Sequence, residues 1–275
     1  MSYLGFLGGG NMAEAIIGGL IDNGTDPETL IVAEPLEQRR AELESLFPGC
    51  RSNASNALVA SQSSQLLLAV KPQVMPAVCR EIAEAVQAKR PMVISIAAGV
   101  RCDDLSGWLG GDLCIVRAMP NQPALLRQGI TGLYANDRCT GEDVARAGEI
   151  LAAVGDVVTV HDEPLIDAVT AVSGSGPAYV YLLMQMMSDA GVELGLDASI
   201  SRALAIKTAT GAASLAAASD ETMAELIERV RSPGGTTAAA LDRLEADDVR
   251  AIFARALTAA RDRATELADQ SHQEK

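Results

Sequence analysis

"YLGFLGGGNMAEAIIGGL", Tyr3–Leu20, is the stretch on which the reading of the whole chain turns. Tyr3–Leu7 has the length and apolar character of a buried strand, and from about Asn11 the apolar residues fall at helical spacing. Between them, Gly8, Gly10 and Ala13 form G-x-G-x-x-A. One glycine of this pattern makes a tight turn, and the next lets the backbone approach a pyrophosphate. A small third residue lets helix and strand pack closely. The spacing alone is weak, and a glycine-rich turn without a ligand would carry it too. Straight after a strand and at the mouth of a helix, it points to a dinucleotide.

Outward from this unit the same alternation continues. Apolar runs at 29–34, 65–70, 92–98, 113–119, 130–135 and 156–160 are separated by helical stretches such as "EQRRAELESL" and "VMPAVCREIAEAVQA". Strands buried on both faces and alternating with helices predict a parallel, doubly wound α/β sheet of Rossmann type. After residue 161 the β-branched runs almost vanish. The remainder is rich in Ala, Leu and Met at helical spacing, broken at "SGSGP" (173–177), "GLDAS" (195–199) and "SPGGTT" (232–237). The expected organisation is therefore a dinucleotide-binding domain over 1–161 and an all-helical domain over 162–275. Met184, Met186 and Met187 are expected in core or dimer packing.

Composition narrows the function. The chain has 275 residues, 48% hydrophobic and 21% charged, a globular balance. Its apolar runs are too short to cross a bilayer, and "MSYLGFLGGG" has no basic region of a signal peptide, so a cytoplasmic protein is expected. A net charge of −14 argues against a nucleic-acid partner. Five cysteines without a C-x-x-C spacing argue against a disulfide framework and against a zinc site, and no metal is expected. His161 and His272 are the only histidines, so chemistry that leans on imidazole has little to draw on.

Further candidates stand where strands end, the place where such sheets bind ligands. Glu34, after the second strand, suits ribose hydroxyls and disfavours a 2′-phosphate. Arg39 and Arg40 on the next helix suit that phosphate instead, so the two readings conflict. "AVKPQ", "SIAAGV" and "RAMPNQPALL" end three later strands with small or rigid residues, like the walls of a nicotinamide pocket. In the helical half, "ERVRSPGGTTAAAL" (228–241) interrupts a helix with two glycines and two threonines. As a plain connection it would use Thr236 or Thr237 as a helix cap. The same residues also leave main-chain N–H groups bare at a helix N-terminus, which suits an anion.

Taken together, "GFLGGGNMAEAI", "LAVKPQ", "SIAAG", "RAMPNQPA", "AVSGSGPAY" and "RSPGGTTAAAL" resemble the pyrroline-5-carboxylate reductase family, in order from about Gly5 to the C-terminal helix. The resemblance implies a Rossmann domain, an all-α dimerisation domain, and a homodimer that can assemble into larger rings. It also implies reduction of a cyclic imine to L-proline by NADPH or, less often, NADH. Carried over, Gly8, Gly9, Gly10, Asn11 and Met12 would hold the pyrophosphate, with Asn56 on the adenosine side, where Glu34 is the cofactor-binding candidate given by its place after the second strand. Ala69, Val70, Lys71 and Pro72 would line the nicotinamide ribose, with Ala97, Ala98 and Gly99 nearby. Gly235, Thr236 and Thr237 match the substrate loop, and Glu163 matches an acid near the substrate. Two departures stand out: Gln122 replaces the usual threonine, and Glu34 is not the residue of a strict NADPH enzyme. NADPH is expected to be used, with weaker discrimination over NADH than a site lacking a carboxylate would show.

The resemblance gives the threonine loop a chemical purpose. Bare N–H groups around Gly235 and Thr236 would hold the substrate carboxylate, and the Thr237 hydroxyl would bond the ring nitrogen. An imine is far more basic than a carbonyl, so no histidine is needed, and Thr237 is the expected catalytic residue. Two other classes fit parts of the chain. A 3-hydroxyacid dehydrogenase would want a catalytic lysine, for which Lys207 is available. A non-catalytic dinucleotide sensor would have no use for the threonine loop.

Overall fold

The computed structural model describes residues 3–273, with side chains through 270. Contacts divide the chain into two compact units, Met1–Ser175 with Ala260–Lys275, and Gly176–Ala259. The first unit begins β1 (Tyr3–Leu7), α1 (Asn11–Asp22), β2 (Leu30–Ala33), α2 (Glu37–Leu46), β3 (Arg51–Asn53), α3 (Asn56–Gln62) and β4 (Ser63–Leu68). It continues with α4 (Met75–Lys89), β5 (Met92–Ser95), α5 (Cys102–Trp108), β6 (Ile115–Met119) and β7 (Gly129–Ala135). After α6 (Gly141–Leu151), β8 (Gly155–Thr159) and α7 (Leu165–Val169), a π-helical turn spans Thr170–Gly174.

The eight strands lie in the order β3-β2-β1-β4-β5-β6-β7-β8. The chain runs outward from β1 through β2 to β3, then returns to the opposite side of β1 as β4. A crevice therefore opens between the ends of β1 and β4, where ligands bind in folds of this kind. Side chains alternate across the strands and bury on both faces. On one face Ile16, Ile17, Ile150 and Leu151 pack against Phe6, Val32, Leu67 and Ile94. On the other, Ile82, Val86, Leu105 and Trp108 pack against Leu7, Ile31, Leu66 and Val93. Each such side chain contributes about 1.5–3 kcal/mol when fully buried.

The sheet is not parallel throughout, as the alternation predicted: β7 runs antiparallel to β6, pairing Val116 with Ala135 and Met119 with Gly132. The link over 120–128 holds only a 3-10 turn, Gln122–Leu126. A parallel return needs a crossover of a dozen or more residues. The antiparallel return has a second effect. It brings the start of β6 beside the end of β7, and there Cys114 and Cys139 form a disulfide with Cα atoms 4.6 Å apart. The cysteine pattern argued against a disulfide framework; a single bond exists, formed by a pairing that the apolar pattern does not encode.

The second unit contains α8 (Gly176–Glu193), α9 (Ala198–Ala217), α10 (Met223–Val230), α11 (Thr236–Ala246) and the first turns of α12 (Val249–Gln273). Asp197 caps α9, and a Thr222–Glu225 capping box starts α10. Gly191 lets α8 approach α9, where Ser201 Oγ donates to the Ser188 carbonyl at 2.7 Å. Many apolar side chains here face outward: Tyr181, Leu182, Met186 and Leu204 are each at least half exposed. Met186 and Met187 are exposed too, so they are not core of this unit. No described helix is long and apolar enough to cross a membrane.

Candidate active site

The glycine-rich turn is shaped by three separate demands. Gly8 sits at φ +97°, donates its N–H to the Ala33 carbonyl at 2.8 Å, and has no room for a Cβ, which would lie 2.9 Å from the Ala69 oxygen. A Cβ on Gly9 would lie 2.6 Å from Leu43 Cδ1. Gly10 differs: it is the N-cap of α1 in extended conformation, and a Cβ there would meet nothing within 4 Å. Its missing side chain thus serves no packing need and keeps a space open beside a helix N-terminus. The first internal bond of α1 is Glu14 N–H to Gly10 O, so the N–H groups of Asn11, Met12 and Ala13 face that space without helical partners. A pyrophosphate fits such a cradle. Ala13, the small third residue, is fully buried.

Glu34 reaches back over this turn. Its carboxylate accepts from Gly9 N–H and from Leu36 N–H, each at 3.0 Å. Arg39 donates through Nε to the Gly9 carbonyl at 2.7 Å and pairs with Glu14 and Glu42. Arg40 donates to the carbonyls of Glu34 and Pro35. Asn56 opens α3 and donates to Glu81 at 2.9 Å.

Ala69 continues the β1–β4 ladder by donating to the Leu7 carbonyl, and Val70 follows beside Gly8. Lys71 precedes the 3-10 turn that Pro72 begins, with its side chain in solvent. After β5, Ala97 is buried and Ala98 half-buried; Gly99, at φ +69°, lies against Leu267 of α12, whose Cβ would be 3.0 Å from a Cβ placed there. The strand ends β1, β2, β4 and β5 therefore bring the sequence-predicted dinucleotide residues to one edge of the sheet.

Glu163 is held through Oε1, which accepts from Cys102 N–H at 2.8 Å and pairs with Arg117 at 3.3 Å. Arg117 also pairs with Asp167 at 3.0 Å, and Asp167 accepts from the Thr265 hydroxyl. Arg117 is 1% exposed on β6, and its Nε has no partner among the described residues. Burial, aided by the Glu163 charge, pushes the Cys102 thiol far up. Sequence reasoning passed over Arg117 and Asp167, although one arginine inside "LCIVRAM" was the available signal. Asn121, read from sequence as part of a nicotinamide-pocket wall, is buried, accepts from Ile130 N–H and donates to the Ser173 carbonyl in the π-helical turn.

In the helical unit, α11 takes Gly235 as its N-cap, with no side-chain cap bond. Neither threonine is the cap that a plain connection would use. The Gly235 N–H is not bare as expected, since it donates to the Ser232 carbonyl at 2.9 Å in the turn where Gly234 adopts φ +67°. The first internal bond of α11 is Ala239 N–H to Gly235 O, so the unpartnered amides begin at Thr236 and Thr237. Among the described residues the Thr237 hydroxyl has no hydrogen-bond partner, and it is half-buried. Arg231 bridges Glu228 and Asp242 at 3.2 and 2.7 Å, tying the two ends of the loop together. Lys207 lies exposed on α9 and His161 exposed after β8; the side chain of His272 lies outside the described residues. Among the described residues no group of three or more His, Cys, Asp or Glu could hold a metal.

Residues 163–267 match the family model for pyrroline-5-carboxylate reductase dimerisation, and 3–99 match that for coenzyme F420-dependent NADP oxidoreductases. A pyrroline-5-carboxylate reductase of Pseudomonas aeruginosa is 45% identical over 267 residues, 97% of each chain. The chain belongs to the pyrroline-5-carboxylate reductase family. A solved Coxiella burnetii pyrroline-5-carboxylate reductase superposes with a TM-score of 0.92 at 38% identity, over 97% of this chain and 98% of that one. A Plasmodium falciparum relative, solved with NADP bound, has a TM-score of 0.84 at 28% identity, over 97% and 98%. A family enzyme of this kind is an NAD(P)H-dependent oxidoreductase with a Rossmann-like sheet domain and a helical dimerisation domain, and both parts are present here.

Proposed function

We propose that this reductase transfers hydride from NAD(P)H to the imine carbon of 1-pyrroline-5-carboxylate, giving L-proline. The observation that carries the substrate assignment is the start of α11, where the amides of Thr236 and Thr237 and the Thr237 hydroxyl have no partner among the described residues. An anion at a helix N-terminus is stabilised by free N–H groups and the helix dipole. The substrate carboxylate takes that place, held by the Thr236 and Thr237 amides, with Gly235 supplying the extended backbone that exposes them. The Thr237 hydroxyl bonds the ring nitrogen and holds its proton in place. Glu163, the acid that the family resemblance puts near the substrate, is anchored through Oε1 to Cys102 and Arg117.

The nicotinamide cofactor supplies the hydride when bound. Gly10, Asn11 and Met12 hold the pyrophosphate, while Gly8 and Gly9, whose N–H groups are taken by the Ala33 carbonyl and Glu34, shape the turn beneath it; Glu34 and Asn56 serve the adenosine side. Ala69, Val70, Lys71, Pro72, Ala97, Ala98 and Gly99 line the nicotinamide end. The protein's contribution is then orientation and electrostatics rather than a strong acid or base. In sequence, 1–161 serve the dinucleotide and 162–275 serve substrate and dimerisation, with 162–175 and 260–275 packing in the sheet unit, in a homodimer or an assembly of dimers. The cytoplasm is the proposed compartment. Purified protein mixed with NADH or NADPH and a panel of cyclic imines and 3-hydroxyacids tests the reading by nicotinamide absorbance. Oxidation of the cofactor that depends on the carboxylated imine is expected; turnover confined to 3-hydroxyacids would refute it.

A further inference from the structure

We infer that the adenosine end of this site holds a ribose with a free 2′-hydroxyl and turns away a 2′-phosphate, so that NADH is favoured over NADPH. The inference deepens the dinucleotide reading above and rests on it. A cavity of about 470 Å³ opens beside Gly9 and Gly10, lined also by Glu34, Leu36, Glu37, Gln38, Arg39 and Glu42. Three carboxylates and one guanidinium thus face the place where the ribose of a dinucleotide on α1 must lie.

The guanidinium is already committed to the turn and to two carboxylates: Nε donates to the Gly9 carbonyl, Nη2 to Glu14 and Nη1 to Glu42, which leaves one N–H on each Nη. Its charge is matched by two carboxylates, and releasing it would leave the glycine-rich turn without its strut. Arg40 does not line the cavity, and its Nη1 is turned onto the carbonyls of Glu34 and Pro35. The two arginines that looked from sequence like phosphate ligands are therefore struts of the β1–α1 and β2–α2 turns.

Glu34 is posed for the other task. Two backbone N–H groups fix its carboxylate, one on each oxygen, and each oxygen keeps lone-pair capacity for a ribose hydroxyl. A 2′-phosphate, carrying about −1.5 to −2 charges, would meet Glu34, Glu37 and Glu42 in a cavity whose lining arginine, Arg39, is already paired with two carboxylates. Leu36, 67% exposed at the start of α2, adds an apolar surface against which the flat adenine ring can lie.

Isothermal titration of the full protein with ADP-ribose and with its 2′-phosphorylated form tests this without turnover; kcat/KM for NADH and NADPH tests it with turnover. Tenfold or tighter binding of ADP-ribose is expected, with NADH favoured to a similar degree in kcat/KM. Glu34→Gln, which keeps the shape and removes the charge, and Glu34→Ser should each move the binding ratio toward the phosphorylated ligand by tenfold or more. Arg39→Met should weaken both ligands alike. The inference is overturned if wild-type protein binds the phosphorylated ligand more tightly, if both Glu34 variants fold yet leave the ratio unchanged, or if Arg39→Met abolishes only phosphate-dependent binding. The wild-type ratio decides even if a variant fails to fold. Protein that binds neither ligand would sink the dinucleotide reading itself, whereas protein that prefers ADP-ribose yet reduces no imine would sink only the proposed reaction.

Discussion

Replacing Thr237 by valine separates a substrate contact from a fold contact, because the two make opposite demands on the same hydroxyl. Among the described residues that oxygen has no partner, and the N-cap of α11 is Gly235, without a side-chain cap bond. Valine keeps the shape and has nearly the same helix propensity, so stability should change by less than about 0.5 kcal/mol. In the complex, the imine nitrogen would lose its partner inside a closed site, at a cost on the order of 2–4 kcal/mol in the transition state. At about 1.4 kcal/mol per decade, kcat/KM should fall roughly thirty- to a thousand-fold. Cofactor affinity should stay within about twofold, since binding of the dinucleotide is assigned to the glycine-rich turn of the other unit. Thr236→Val should do less, because its contribution is an amide that valine retains. Steady-state kinetics and a melting curve on both variants provide the readout. Normal turnover with a lowered melting temperature in Thr237→Val would refute the assignment and return the threonine to a structural role.

Other positions give equally direct outcomes. Gly10→Ala should cost no more than about 1 kcal/mol of stability, as a poorer N-cap, yet lose most dinucleotide affinity by calorimetry, since its methyl group fills the space kept for the pyrophosphate. Gly8→Ala should instead destabilise the fold, because φ +97° and the Ala69 carbonyl both oppose a side chain. Light scattering should give a dimer or larger assembly at assay concentration, covering the apolar side chains of α8 and α9; a fully active monomer would exclude it. Burial raises the Cys50 and Cys79 thiols to about 11 and 12, so both stay protonated at pH 8. Alkylation there should spare them and Cys102, while Cys114 and Cys139 react once reduced; mass spectrometry would show otherwise if the core thiols open readily.

The strongest sequence signals were those in which a local pattern and its tertiary purpose coincide. Tyr3–Leu20 reads as strand, glycine turn and helix because each part of it is fixed by its own residues and by the dinucleotide it is shaped for. β3 escaped because Arg51–Asn53 is a three-residue polar edge with no apolar pattern to detect. The reversal at β7 escaped because alternation records burial and not direction; only the shortness of the link after β6 carries that information. Within the threonine loop, the residue types pointed to free amides, but which amides a turn consumes depends on φ and ψ, and Gly235 proved to be engaged. Ala264 and Ala268, both buried, show the same limit at larger scale. Their spacing marks a helix face without saying that the face belongs to the sheet unit.

That last placement bears on how the protein is made. The sheet unit is interrupted in sequence, since its closing segment Ala260–Lys275 is translated only after the whole of Gly176–Ala259. At about 5–20 residues per second, synthesis of the intervening segment occupies on the order of ten seconds. During that time Gly99 lacks Leu267, Arg101 lacks Asp269, and Asp167 lacks the Thr265 hydroxyl. The nascent dinucleotide domain must therefore wait, incomplete, for the final turns of the chain, and a gene truncated before Ala260 encodes no finished copy of it.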